Sequence, residues 1–82
     1  MTDPLSMLTP YLTPTRDLRF EAACRIILAW QSGDDASAAD LTLFPDRLAV
    51  ARYLAGRLAV PADVRLASLQ PAIAALFSLA RG

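Results

Sequence analysis

The spacing of apolar residues constrains the fold of this chain more than any other feature of its sequence. Over residues 18–31 apolar side chains recur every three or four positions, which is the period of an amphipathic helix. The predicted apolar face consists of Phe20, Ala23, Cys24, Ile27 and Trp30, with Ile26 and Leu28 at its flanks. Such a wide arc indicates a central helix contacted on several sides, or a dimer interface. No stretch alternates with the period of two that a strand requires.

Two more segments show the same helical period. A helix is predicted from Pro45, in its first turn, to about Ala59, and Pro61 then opens the last helix, over residues 62–80. The apolar stripe of the first consists of Leu48, Ala51, Leu54, Ala55 and Leu58. The stripe of the second consists of Leu66, Leu69, Ile73, Leu76, Phe77 and Ala80. The spacing of this apolar stripe continues unchanged past Pro71, which falls on the opposite side of the helix. We therefore predict one kinked helix over residues 62–80.

Prolines and capping residues set the remaining boundaries. Three prolines in residues 1–14 predict an irregular segment with one helical turn, around Leu5–Leu8. Thr13 or Thr15 would cap the first long helix, which is expected to stop at Gly33. A short helix should follow, capped by Asp34, Asp35 or Ser37, and Ser37 with Asp40 has the spacing of a capping box. Glu21 and Arg25 form a polar strip at i,i+4 spacing on the first long helix.

These elements predict an all-α fold, a small compact bundle of three main helices plus one or two short ones, as a single domain over residues 1–82. The chain is 55% hydrophobic, so it must bury unusually much or keep an apolar face for a partner. Its eight cations are all arginine, which is typical of a GC-rich bacterial genome. The start of the sequence lacks the basic and apolar runs of a signal peptide, and no stretch is long and apolar enough to span a bilayer. The expected location is the cytoplasm.

The chemistry of the side chains argues against catalysis. Histidine is absent and Cys24 is the only cysteine, so neither the commonest general base nor a Cys/His zinc site is available. Cys24 is interpreted as a small apolar core residue. Asp34, Asp35 and Asp40 lack the ligand register of a calcium loop, and the three glycines form no phosphate-binding loop. We therefore predict a protein that is not an enzyme and holds no cofactor or metal.

One segment resembles a helix-turn-helix. In "LAGRLAVPADVRLASL", residues 54–69, small residues stand where that motif keeps its first helix and turn. The following apolar anchor should fall at Arg65 but is displaced by one residue. A formal net charge of +0 also disfavours the phosphate contacts that dominate DNA affinity. The favoured interpretation is an antiparallel hairpin with a tight turn. The alternative is a DNA-binding regulator that uses residues 45–70, with Arg57 and Arg65 as contacts.

The predicted function is that of a non-catalytic interaction protein, an accessory or regulatory subunit. Its partner would be a second copy, giving a homo-oligomer, or a larger protein, whereas nucleic acid is disfavoured. The candidate interface residues are Phe20, Ile27, Trp30, Tyr53 and Phe77. Besides the DNA-binding alternative, a bundle that binds a small molecule between its helices stays open.

Overall fold

The computed structural model describes residues 3–82, so the first two positions of the predicted irregular segment lie outside the described residues. The fold is an all-α bundle, as the periodicity predicts. Its helices are α1 Pro4–Leu8, α2 Leu18–Gln31, α3 Ala38–Leu41, α4 Arg47–Ala55 and α5 Leu66–Arg81, and a 3-10 turn covers Thr9–Tyr11. Helices α2, α4 and α5 are the three main ones, and no strand forms anywhere in residues 3–82.

One hydrophobic core joins all the main helices. It is built from α1, α2, α4 and α5, with Phe44 added from the loop before α4. Its largest fully buried side chains are Leu8, Ile26, Ile27, Leu54, Leu76 and Val50. Alanines on α2 and α5 let the helices approach closely, because Ala22, Ala23, Ala72 and Ala80 are buried as well. The short α1, with Leu5 and Leu8 buried, packs mainly against α5.

Helix α2 begins at a different cap from the predicted one. Asp17, rather than Thr13 or Thr15, is the N-cap, and its carboxylate accepts a hydrogen bond from the Arg19 backbone N–H at 3.0 Å. A carboxylate at this position satisfies a donor that the helix leaves unpaired. The end of the helix agrees with the prediction, since Gly33 follows it in the left-handed conformation, at φ +79°.

The buried face of α2 is rotated from the predicted one. Ala22 and Ile26 are completely buried beside Ala23 and Ile27, whereas Ile26 was expected only at the flank. Phe20, Cys24 and Trp30 are partly buried at the edges of this face. The rotation arises because α1, α4 and α5 all pack on α2, and hydrophobicity alone does not fix where their combined footprint is centred.

The predicted tight turn between the last two helices is wrong. Helix α4 ends at Ala55, and ten residues, Gly56 to Arg65, separate it from α5. The cause is tertiary pairing with the N-terminal segment. The Thr13 N–H donates to the Arg57 carbonyl at 2.8 Å, and the Ala59 N–H donates to the Tyr11 carbonyl at 2.7 Å. This short extended pairing, after a helix-weakening glycine, takes residues 57–59 out of the helix.

Helix α5 runs through Pro71, which is exposed as predicted, but it begins at Leu66 rather than near Ala62. Pro61 to Val64 form a turn closed by a hydrogen bond of 3.0 Å, and Arg65 is extended. Leu66 therefore lies in the first turn, beyond the core, and is 53% exposed instead of buried. The start of α4 lies beside the end of α5, since the Arg47 guanidinium donates a hydrogen bond to the Ala80 carbonyl.

The short helix α3 is attached by an ion pair and not by the predicted capping box. Ser37 is its N-cap but makes no side-chain capping bond. Asp40 accepts two hydrogen bonds from the Arg25 guanidinium, at 2.9 and 3.0 Å. Arg25 thus joins α2 to α3 instead of pairing with Glu21 along its own helix. The Arg25 guanidinium holds the pKa of Asp40 below its ordinary value.

Candidate interaction surface

An open groove lies where the ends of four elements meet. Its volume is about 740 Å³, and its floor is formed by Pro4, Trp30, Ala75 and Leu79. Asp3, Gln31, Asp34, Asp35 and Arg47 also line it. We call this cavity the Trp30 groove. It combines an aromatic ring and aliphatic surface with charged groups.

Arg47 fixes the shape of the groove. Its guanidinium stacks on the Trp30 ring, with Cζ 4.0 Å from the ring centroid. The same group donates to the Ala80 carbonyl at 2.9 Å and to the Leu79 carbonyl at 3.0 Å. These carbonyls belong to the last turn of α5, where helices run out of backbone donors, although the Leu79 carbonyl also accepts from the Gly82 N–H at 3.2 Å. One side chain therefore holds α2, α4 and α5 together and keeps the indole in place.

The rim of the groove is negatively charged. Asp3, Asp34 and Asp35 are exposed, and no other residue in the described part of the chain forms a salt bridge with them. Helix α2 ends at Gln31 on this rim, and the C-terminal end of a helix carries partial negative charge. The Gln31 Oε1 atom is buried and accepts no hydrogen bond. Among the residues that the structure describes, Arg47 is the one cation in the lining, and the carbonyls of α5 already accept hydrogen bonds from it. The described lining therefore carries three carboxylates, Asp3, Asp34 and Asp35, against one guanidinium.

A second polar cluster surrounds Tyr53. Its hydroxyl donates to Asp17 Oδ2 at 3.1 Å, and Asp17 also accepts from the Arg19 guanidinium at 2.8 Å. The Tyr53 ring packs edge-on against Phe44, with centroids 5.8 Å apart. The hydrogen bonds from Arg19 lower the pKa of Asp17 to about 2, and the bond from the Arg19 side chain has a larger effect than the bond from its backbone N–H. Burial and the bond to Asp17 raise the pKa of Tyr53. This cluster joins the start of α2 to α4 and is structural.

The structure separates the predicted interface residues. Ile27 is completely buried in the core, so in this fold it offers no surface to a partner. Phe20 and Phe77 are partly buried and pack on the core, and Tyr53 is held by the contacts just described. Phe20 and Trp30 lie ten positions apart on α2, about 15 Å along its axis, so they do not share one patch. Trp30 alone of these five lines the groove.

The residues weighed for chemistry are not assembled into a reactive site. Cys24 is free and half-buried, and burial raises the pKa of its thiol, which disfavours the thiolate form. Within residues 3–82 no three His, Cys, Asp or Glu side chains come together in a way that could hold a metal ion. No helix in that part of the chain has the length and apolar character to cross a bilayer.

Arg57 and Arg65, the contacts of the DNA-binding alternative, differ in burial and in hydrogen bonding. Arg57 is half-buried and donates to the Thr13 carbonyl at 3.3 Å, and its Nε atom is buried without a partner. Arg65 is exposed at the N-cap of α5. A helix-turn-helix needs a turn of about three or four residues, and the ten-residue connection lacks that geometry.

Sequence reasoning missed most of the groove. Gln31, Ala75 and Leu79 belong to no motif, and the sequence presents Asp34 and Asp35 as capping residues that lack the register of a calcium loop. Arg47 carried no local signal, because its partner Ala80 lies 33 positions away. The one available hint was Trp30, the single tryptophan, at the very end of an apolar face.

Comparisons with protein-family models, with curated proteins and with solved structures give no match.

Proposed function

We propose that this chain is a non-catalytic interaction protein, an accessory or regulatory subunit of the bacterial cytoplasm, which self-associates or docks on a larger protein through the Trp30 groove. The observation that carries the proposal is the Trp30 ring, held by Arg47 at 4.0 Å on the floor of an open groove. Tryptophan and arginine are the residues most enriched among those that dominate binding energy at interfaces. A ring that is already fixed loses little conformational entropy when a partner covers it.

Two further properties of the chain support an interaction role over an enzymatic one. The sequence has no histidine, and burial and the charge of Glu21 raise the pKa of the Cys24 thiol, which disfavours the reactive thiolate. The groove also has acidic residues beside its apolar floor. A partner protein could bury apolar surface against the floor and place complementary charges at the acidic residues.

A photo-crosslinking experiment in the native cell tests this function. The photoreactive amino acid p-benzoylphenylalanine is placed at Ser78, an exposed residue that lines the groove. We expect irradiation to give one dominant adduct, and its mass shows whether the partner is a second copy or a larger protein. A matched probe at the exposed Gln70, about two turns earlier on α5, should give no such adduct.

The outcome that contradicts the proposal is equally clear. If the probe at Ser78 gives no adduct, or the same adducts as the probe at Gln70, the groove is not an interaction surface in the cell. The melting temperatures of both probe-bearing proteins should match that of the natural chain, which shows that the probes report on the folded protein.

A further inference from the structure

The start of α2 combines an exposed leucine with a free arginine. Leu18, the first residue of α2, is 74% exposed, more than any other large apolar side chain in the described part of the chain. Arg16 is exposed two residues earlier, and it forms no salt bridge with a described side chain. The acid between them, Asp17, already pairs with Arg19. We call Arg16 and Leu18 the Leu18 patch.

The Trp30 groove lies at the other end of the same helix. Leu18 and Trp30 are 12 positions apart on α2, or about 18 Å along its axis. The Leu18 patch therefore cannot reach the groove of its own chain, whereas the groove of another copy is open to it. The two surfaces are complementary, because the groove has an apolar floor and its described lining carries three carboxylates against one guanidinium. The partial charges of α2, positive at its start and negative at its end, add to this difference.

We infer that a second copy of this chain occupies the Trp30 groove through its Leu18 patch, so that copies join head to tail. This inference rests on the proposed interaction function and names the partner. Leu18 of one copy covers the apolar floor of the next, which removes its side chain from water, and Arg16 meets Asp34 and Asp35.

A head-to-tail contact does not stop at two copies. It joins two different surfaces, so each assembly keeps a free Leu18 patch at one end and a free groove at the other. Such contacts build open chains, or rings where the rotation between copies closes. The inference therefore predicts species larger than a dimer.

The other arginines suit the groove less well. Arg65 precedes Leu66, but Asp63 lies two residues before it and offsets its charge, and Leu66 is less exposed than Leu18. Arg81 is exposed at the end of α5, where its neighbours are a buried alanine and a glycine, so no exposed apolar side chain lies next to it in the chain. Three others already pair with aspartates of their own chain, namely Arg19, Arg25 and Arg52.

Sedimentation analysis of the full chain, from about 5 to 500 µM, tests the inference. We expect the average mass of the natural chain to rise with concentration beyond that of a dimer. Arg16→Glu, Leu18→Ala and the double variant Asp34→Lys with Asp35→Lys should each weaken association at least about tenfold. Mixing the Arg16→Glu variant with the lysine variant should restore assembly, because the acidic groove receives Arg16 and the basic groove receives the new glutamate.

Matched controls make the same substitutions at other exposed positions. Arg65→Glu and Arg81→Glu repeat the charge reversal, and Leu28→Ala repeats the truncation at an exposed leucine of α2. These variants should associate within about twofold of the natural chain. The unfolding midpoints of all variants should match that of the natural chain, because every substituted side chain is exposed.

Each contrary outcome removes a definite part of the proposal. A natural chain that is monomeric at about 500 µM overturns the inference. A dimer that does not grow also overturns it, as does association that the Leu18 patch variants weaken no more than their controls do or that mixing does not restore. A monomer whose Ser78 probe still captures a larger protein would remove the second copy and keep the proposed function. A monomer whose probe captures nothing would remove both.

Discussion

Arg47 performs three tasks that are usually divided among several residues. It caps the end of α5, stacks on Trp30 and begins α4, so its side chain connects the core to the groove. A charged donor suits this position because the last carbonyls of a helix carry partial negative charge. Arginine is required rather than lysine, since only a planar guanidinium can bond two carbonyls while it stacks on a ring.

We expect Arg47→Ala to lower the free energy of unfolding by about 1–3 kcal/mol, because the variant loses two charge-assisted hydrogen bonds and the stacking on Trp30. Arg47→Lys should recover only part of this loss. Urea denaturation followed by circular dichroism measures both, and Trp30 fluorescence should report a more mobile indole. Arg65→Ala is the control, with a change of no more than about 0.5 kcal/mol at this exposed position. Equal effects of the two alanine variants would show that Arg47 does not clamp α5.

Asp17 makes the stability of the fold depend on pH. The bonds from Arg19 lower its pKa from 3.8 to about 2 in the folded chain. A lowered folded-state pKa contributes stability that is complete above the ordinary pKa and is lost as the pH falls through the folded value. We therefore expect Asp17→Asn to be less stable than the natural chain at pH 6, and the two to converge near pH 2.

The Asp17→Asn variant separates charge from capping, because asparagine is an equally good N-cap. Urea midpoints measured between pH 6 and 2 give the comparison. The pair between Asp40 and Arg25 contributes its own acid sensitivity, but it is present in both proteins and cancels. Parallel curves for the two proteins would show that the charge of Asp17 contributes nothing.

At the scale of elements, some features of the helices depend on neighbouring residues in the sequence and others depend on contacts between distant segments. The periods of α2 and α5 and the stop at Gly33 were predictable, because each depends on residues within a few positions of one another. The end of α4 could not be predicted from the sequence, because residues 57–59 pair with a segment more than forty positions earlier in the chain. For the same reason the groove escaped prediction: its walls come from α1, α2, α4 and α5, and only folding brings them together.

Two leucines of the predicted apolar stripes provide a test of the packing. Leu54 is 1% exposed at the centre of α4, and Leu66 is 53% exposed at the start of α5. We expect Leu54→Ala to cost about 2–5 kcal/mol, as deletions in packed cores do, and to leave the chain partly unfolded near 37 °C. Leu66→Ala should change the stability of the monomer by less than about 0.5 kcal/mol. Thermal unfolding of dilute samples measures the stability of both variants. Equal losses of stability would contradict the exposed position described for Leu66.

At the scale of the whole molecule, charge is balanced in number and arranged in pairs. Three of the eight arginines pair with aspartates, and Arg47 and Arg57 bond backbone carbonyls. Few cations are left to bind phosphates along a duplex. The acidic rim of the groove adds a repulsive region. DNA binding by residues 45–70 therefore stays an alternative that this distribution of charge disfavours.

We expect no micromolar binding to mixed-sequence DNA duplexes at about 50 mM salt, where electrostatic binding is strongest. Fluorescence anisotropy at about 50 and 200 mM salt measures this. Binding that weakens steeply with salt and is abolished by Arg65→Ala, without any loss of stability, would promote the DNA-binding alternative. A preparation whose far-ultraviolet spectrum is that of the folded helical chain is the necessary control.

The N-terminal segment, finally, sets an order of events during folding. Helix α1 packs mainly against α5, and residues 11–13 pair with residues 57–59. On the ribosome, α1 must therefore wait for α5, which is made later. The core cannot close around α2 and α4 alone, and contacts between such distant positions are slow to form because a long loop must close first. Until α5 emerges, the apolar side chains of Leu5 and Leu8 lack the helix that makes most of the contacts of α1, and apolar surface exposed in this way favours aggregation of the nascent chain.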